Sequence, residues 1–163
     1  MTSAAGNVAI GSRVLLSNTS GNELIAIGSS ALNSLTSGSN TIALGGQVGF
    51  NQTGSNCNVY IGSLAGSNTA GGSFNTVMGY QAGRSAVVGF VYQANTVLGA
   101  CSGYNLTTGS GNVILGGLTN LLTYAPVFGV TTENNRVVVG SNQVTNAYIQ
   151  VGWTVVSDAR DKL

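Results

Sequence analysis

Eight copies of one short motif, a few apolar residues that end on a glycine, recur along this 163-residue chain. The first copy is Val8-Ala9-Ile10-Gly11. The intervals between the closing glycines are 17, 17, 17, 17, 20, 17 and 24 residues. Such a period is typical of stacked structural repeats, each of which buries its apolar face only against its neighbours. The structural repeat glycines are Gly11, Gly28, Gly45, Gly62, Gly79, Gly99, Gly116 and Gly140.

Both sides of each strand are largely apolar, as in strands that are buried on two faces. Residues one and three places before the glycine share one face, because strand side chains alternate in direction. We expect these two columns, which begin with Ile10 and Val8, to fill the core of each coil. The column between them would then meet something else, most simply a second copy of the chain. That middle column is Ala9, Ala26, Ala43, Tyr60, Val77, Val97, Ile114 and Val138.

A polar turn follows each strand and carries a second glycine, at 21, 38, 54, 72 and 109. We expect positive φ at these glycines, which tight turns require and glycine adopts without steric cost. Asn is dense beside the turns, and Asn ladders between stacked coils offer further hydrogen bonds. A second inward column is predicted three places past the corner glycine, at Val14, Ala31, Val48, Ala65 and Ala82. An ordinary β-sandwich is the alternative fold, but four successive intervals of 17 disfavour it.

Composition argues against several classes of function. The chain has no His, five Lys and Arg, and four Asp and Glu, so the commonest general base and metal ligand is missing. Without a basic patch or a long apolar run, we expect no nucleic-acid partner and no membrane partner. Cys57 and Cys101 occupy different parts of their repeats and are expected to be buried free thiols. We therefore expect no metal and no cofactor.

Two repeats carry insertions, and insertions in solenoids emerge as loops on one face. The first insertion places Phe90 and Tyr92 in a loop, with Arg84 as its cation, and the second places Tyr124 and Phe128 in another loop. Two interpretations stay open. The loops either close the end of the stack or pack on a neighbouring chain, which we favour, or they contact a ligand.

Burial in one coil is too little to offset the conformational entropy of so long a chain, because each coil is narrow. The second apolar face must then be buried as well, and cyclic self-association is the simplest way to bury it.

Residues 28–45, with Gly-x-x-Ala-Leu followed by Thr-Ser-Gly-Ser-Asn-Thr-Ile-Ala-Leu-Gly, resemble two families. One is the head repeat of trimeric autotransporter adhesins, whose usual repeat is shorter than 17. The other is the repeat region of phage and large-virus tail fibres. The resemblance implies an all-β fold, a left-handed parallel β-roll or β-solenoid of 17-residue repeats, assembled as a homotrimer.

The C-terminus resembles the junction into the intramolecular chaperone of endosialidase-type tailspikes, which reads Ser-Asp-x-Arg-x-Lys after an aromatic residue. Ser157, Asp158, Arg160 and Lys162 match that motif, and Trp153 supplies the aromatic. The resemblance implies autocleavage between Ser157 and Asp158. A solvated charged tail after a last strand is the alternative. The chain stops at Leu163, so most of the implied chaperone is missing from it.

These observations predict three segments: a β-solenoid repeat region at 1–140, C-terminal neck strands at 141–157, and the start of a missing chaperone at 158–163. We expect a structural or adhesive fibre protein of a virion that binds itself and meets a host surface glycan or protein. The alternative is the head of a bacterial trimeric surface adhesin, located at the cell surface. Glycan-cleaving enzymes need paired carboxylates, and residues 1–157 offer only Glu23 and Glu133. We therefore expect no enzymatic activity and no catalytic residues.

Overall fold

The computed structural model describes residues 4–85, 89–118, 125–126 and 128–146. Within this part the chain is all-β, with short strands and no helix. Eight strands form one sheet in the order β1-β2-β3-β4-β6-β8-β9-β10, and β5 pairs with β7 in a second sheet. The strands are β1 (Val8–Ile10), β2 (Ile25–Ile27), β3 (Ile42–Leu44), β4 (Val59–Ile61), β5 (Thr69–Gly71), β6 (Thr76–Met78), β7 (Phe90–Val91), β8 (Thr96–Leu98), β9 (Val113–Leu115) and β10 (Val137–Val139).

All strand pairs in the main sheet are parallel, and each joins one sequence motif to the next. Val8 lies opposite Ile25, and Ile25 lies opposite Ile42. Isolated parallel bridges, such as Ser37 with Gly54, continue the stacking away from the main sheet. The chain therefore forms a parallel β-solenoid of about six turns, and the predicted all-β stacked-repeat fold is confirmed at this level.

The strand faces are opposite to the ones expected from sequence. The middle column points into the coil: Ala26, Ala43 and Tyr60 are completely buried. Of the two flanking columns, which were expected to fill the core, Ile10 is 56% exposed and Val137 is 68% exposed. A narrow coil has room for only one inward side chain per three-residue strand, so the central residue points in and its two neighbours point out.

The second inward column is confirmed. Ala31, Val48, Ala65 and Ala82 are completely buried, and Val14 packs against the same core. This column and the inward strand residues belong to one continuous hydrophobic core. Tyr92, which the sequence placed in a binding loop, is also completely buried there.

The corner glycines permit the coils to stack closely. Their φ values are positive, for example 131° at Gly11 and 125° at Gly62. A Cβ added at Gly62 would lie 2.5 Å from the carbonyl oxygen of Gly79 on the next coil, and one at Gly11 would lie 2.7 Å from that of Gly28. A side chain at this corner would therefore collide with backbone that cannot move without opening the stack.

The turn glycines only partly follow the prediction. Gly38 and Gly72 have φ of 120° and 112°, whereas Gly21, Gly54 and Gly109 do not lie in the left-handed region. Gly54 stacks between Ser37 and Gly71, so it occupies a different register position from Gly38. The left-handed turns are instead made largely by other residues, at equivalent positions of successive coils. Two such series are Arg13, Ser30, Gln47, Leu64, Gln81 and Cys101, and Glu23, Asn40, Cys57, Phe74, Ala94 and Asn135.

Candidate functional site

The outward side of the main sheet is a continuous apolar strip, which we call the outer face. It consists of the side chains one and three places before each corner glycine. Fourteen of its sixteen residues are apolar, and the other two are Thr76 and Thr96. Eight parallel strands spaced about 4.8 Å apart give the strip a height of roughly 34 Å. The apolar members are Val8, Ile10, Ile25, Ile27, Ile42, Leu44, Val59, Ile61, Met78, Leu98, Val113, Leu115, Val137 and Val139.

Exposure is highest at the two ends of the outer face and lower in its middle. Met78 is 39% exposed and Ile42 is 36% exposed, although each is flanked by strands on both sides. This residual exposure is what a flat sheet leaves when nothing packs on it. Soluble single chains rarely expose an apolar patch this continuous, and such patches mark surfaces that bind another molecule.

A ladder of buried Asn side chains borders the outer face on the side where the strands begin. Each Asn accepts a hydrogen bond from the next coil: the Asn75 backbone N–H donates to Asn58 Oδ1 (2.9 Å), and the Asn95 N–H donates to Asn75 Oδ1 (3.0 Å). The amide Nδ2 of Asn75 also donates to the Tyr92 carbonyl at 3.0 Å. The Asn ladder suggested by the sequence is therefore present, and it fixes the height of each strand against its neighbours.

Behind β4 the core contains a polar cluster around Tyr60. Gln52 Nε2 donates to the Tyr60 hydroxyl oxygen at 2.5 Å and to Thr69 Oγ1 at 3.2 Å. Ser55 Oγ donates to Gln52 Oε1 at 2.5 Å. Burial raises the pKa of Tyr60 well above its ordinary value of 10.0, so the phenol stays neutral. These interactions satisfy buried polar groups and rigidify the coil that supports the outer face.

The residues predicted for binding loops are described only in part, and the described ones lie in different surroundings. Tyr92 is a core residue, and its hydroxyl donates to the Gly83 carbonyl at 2.9 Å. The Arg84 guanidinium carbon lies 6.0 Å from the centre of the Tyr104 ring, in a cation–π arrangement. Phe90 contributes backbone to β7, and Tyr124 lies outside the described residues.

Phe128 is 47% exposed near the C-terminal end of the stack. With Arg136, Val137 and Val138 it lines a groove of about 250 Å³. The groove is small and open, and three of its four residues are apolar. The groove shares Val137 with the outer face at this end, and its only charge is that of Arg136.

Other sequence predictions meet the structure only in part. Ser157, Asp158, Arg160 and Lys162 lie outside the described residues, as does most of the predicted neck at 141–157. In the described portion of that neck, Ser141 forms an antiparallel bridge with Pro126.

Both cysteines are free, but Cys57 is exposed rather than buried, and Cys101 is partly exposed. No cluster of His, Cys, Asp or Glu suited to a metal occurs among the described residues, and that part of the chain forms no helix that could span a bilayer.

Sequence reasoning missed two exposed aromatic residues, Phe74 and Tyr80, at the borders of the outer face. They are 65% and 54% exposed. The sequence did contain a signal for them. When the repeats are aligned on the corner glycine, each is the only aromatic residue at its position among the described coils.

Comparison with known protein families, with curated proteins and with solved structures finds no match to this chain.

Proposed function

We propose that this chain is a structural and adhesive segment of a virion fibre, assembled as a homotrimer through the outer face. The observation that carries the proposal is the uninterrupted apolar strip on eight stacked strands. A rigid strip of constant width matches another strip of the same kind along its whole height. A second copy of the chain carries an identical strip, so self-association can bury the outer face without any other partner.

The number of copies is supported by resemblance and by shape. The families that the repeats resemble assemble as trimers. Three narrow sheets can surround one axis and bury all three outer faces in a common apolar core, since facing sheets pack about 10 Å apart. The solenoid axis then lies parallel to the three-fold axis, so the assembly is a fibre that lengthens with every added coil.

The length of each coil and its handedness are part of the same proposal. We assign each regular coil 17 residues and a left-handed course. The length is supported by the register, in which Val8 pairs with Ile25 and Ile42 pairs with Val59. The handedness rests on resemblance to the adhesin heads and fibre repeats.

A virion is favoured over a bacterial surface by the C-terminal motif Ser157-Asp158-x-Arg160-x-Lys162. Its resemblance to the tailspike chaperone junction assigns the Ser157–Asp158 bond as the maturation site. A chain recovered from particles should then end at Ser157, which intact-mass measurement would show. The bacterial adhesin head remains the second candidate, because Asn7 to Gly11 match its repeat core. Recovery of the protein from bacterial envelopes instead of particles would support that candidate.

Assembly is tested by placing a charge on the outer face. Ile27→Asp should abolish the trimer, since three carboxylates would be buried together near the axis. Leu16→Asp is the matched control, because Leu16 is an exposed apolar residue (66%) away from the outer face. Sedimentation equilibrium should give three chains for the unmodified protein and for Leu16→Asp, and one chain for Ile27→Asp. A monomeric unmodified chain would overturn the proposal.

A further inference from the structure

Two exposed aromatic residues flank the same strand, at opposite borders of the outer face. We call one strand of the main sheet, together with the residues that flank it, a rung. Phe74 precedes β6 by two residues and Tyr80 follows it by two. Between them, Thr76 and Met78 belong to the outer face. The φ of Phe74 is 63°, as at the equivalent positions of the neighbouring coils, so its backbone is set by the coil and not by the side chain. Its large apolar side chain is nonetheless 65% exposed, which points to a contact that the single chain does not make.

The rungs above and below carry small or polar residues at both borders. On the rung of β4 the border residues are Cys57 and Ser63, and on the rung of β8 they are Ala94 and Ala100. Apart from Phe74 and Tyr80, the residues at both borders are small or polar on every rung. The border before the strands is Gly6, Glu23, Asn40, Cys57, Phe74, Ala94, Gly111 and Asn135; the border after them is Ser12, Ser29, Gly46, Ser63, Tyr80, Ala100, Gly117 and Ser141.

Symmetry determines which borders meet in the proposed trimer. Rotation about an axis parallel to the solenoid leaves the height of every residue unchanged. The contact in such a ring is heterologous, so the border before the strands of one chain faces the border after the strands of the next. Residues on one rung but at opposite borders are therefore brought together between chains.

We propose that Phe74 packs against the partner subunit's Tyr80 at each of the three seams of the homotrimer, an inference that rests on the proposed function. The contact buries two rings that are exposed in the single chain, in the offset or edge-to-face arrangement that aromatic pairs prefer. Gln81 Nε2 donates to the Tyr80 hydroxyl oxygen at 2.9 Å, so the polar end of that ring has a partner at the rim of the seam.

The pair would also set the axial register of the trimer. The outer face is nearly uniform, so a slip by one rung would change its apolar contacts little. Such a slip would place Phe74 against Ser63 or Ala100 of a neighbouring chain and leave both rings partly exposed. One bulky pair per seam therefore discriminates against misaligned assemblies.

Disulfide trapping tests the seam directly. Phe74→Cys and Tyr80→Cys are introduced together into a chain that carries Cys57→Ser and Cys101→Ser. Residues 75–79, which contain β6, alone span roughly 13 Å, beyond the ~7 Å limit between the Cα atoms of a disulfide. Oxidation should therefore link different chains and give a covalent trimer on a denaturing gel. The matched control pairs Glu23→Cys with Tyr80→Cys, three rungs apart, and should stay uncrosslinked.

A second measurement uses Phe74→Ala, which should raise the concentration at which half of the trimer dissociates by roughly tenfold or more. A trimer in sedimentation that gives no crosslink would overturn the seam and leave the proposed function intact. A monomeric parent chain would overturn both. An unchanged dissociation concentration for Phe74→Ala, together with lost binding to a glycan, would assign the ring to a ligand and contradict the proposal.

Discussion

The inner and outer faces of the main sheet are both apolar, yet they are filled in different ways. Inward side chains range from Ala43 to Tyr60 on adjacent strands, whereas the outward ones are mostly Val, Ile and Leu. Small and large residues of the interior compensate for one another within a coil and between neighbouring coils, since a Cβ at Gly49 would lie 2.7 Å from the Leu32 side chain of the preceding coil. Ala26 shares its coil with Leu32, whereas Tyr60 shares its coil with Gly66, where a Cβ would lie 2.7 Å from the Tyr60 ring.

The difference follows from what each face must match. The interior is closed by residues of the same chain, so a large residue at the strand can be balanced by a glycine at the turn. The outer face has no such partner within the chain and keeps nearly constant side-chain size along its height. That uniformity suits a surface that packs against copies of itself, whereas a core that is closed within the same chain needs no uniformity.

The largest test of this contrast compares adjacent residues of β4. Tyr60→Ala should lower the free energy of unfolding by about 3–5 kcal/mol, because it leaves a cavity and removes the partner of Gln52. Ile61→Ala should lower it by only about 1 kcal/mol, since that side chain is already partly exposed. Urea unfolding monitored by circular dichroism, with both changes made in the monomeric Ile27→Asp chain, measures these values. A larger loss for Ile61→Ala would show that the inner and outer faces have been assigned the wrong way round.

The next test concerns the corner glycine that ends each strand, where successive coils stack closely. Gly45→Ala should destabilise the chain by about 3 kcal/mol, because φ is 140° and the new Cβ would lie 2.7 Å from the backbone of Gly62. Gly46→Ala is a matched control, because the nearest atom there is Ser63 Oγ at 3.8 Å. Thermal unfolding of the two variants should separate them clearly. Equal melting temperatures would show that coil stacking tolerates a side chain at the corner.

The sequence predicted the repeats, the strands and the corner glycines because these depend on local spacing. The prediction of which strand face is inside was wrong, because alternation defines two faces and does not show which of them points inward. The Ala residues of the middle column were the missed signal, since small residues fit where a narrow coil is most crowded. Tyr92 was assigned to a loop because the insertion before it hid its register. In the structure its backbone lies against Gly72 and its hydroxyl donates to the Gly83 carbonyl, so it carries the core past that insertion.

The smallest test uses pH, because among the described residues phenols occur inside the coil and none belongs to the outer face. Burial raises the pKa of Tyr60, and burial together with the nearby Tyr60 raises that of Tyr92. The unfolded chain loses these protons near pH 10, while the folded chain retains them. The folded state therefore binds more protons above pH 10, and its free energy of unfolding falls as the pH rises through that range.

Each buried phenol should contribute up to about 1.4 kcal/mol per pH unit to this fall. Tyr60→Phe should remove one such contribution, at a cost of about 1 kcal/mol near neutral pH for the lost hydrogen bond with Gln52. Ile61→Val changes a residue of the outer face that carries no titrating group and should leave the alkaline slope unchanged. Urea titrations between pH 8 and pH 11 in the Ile27→Asp chain measure both slopes. If Tyr60→Phe left the slope unchanged, as Ile61→Val should, the contrast between a closed interior and an open outer face would fail in this region of the solenoid.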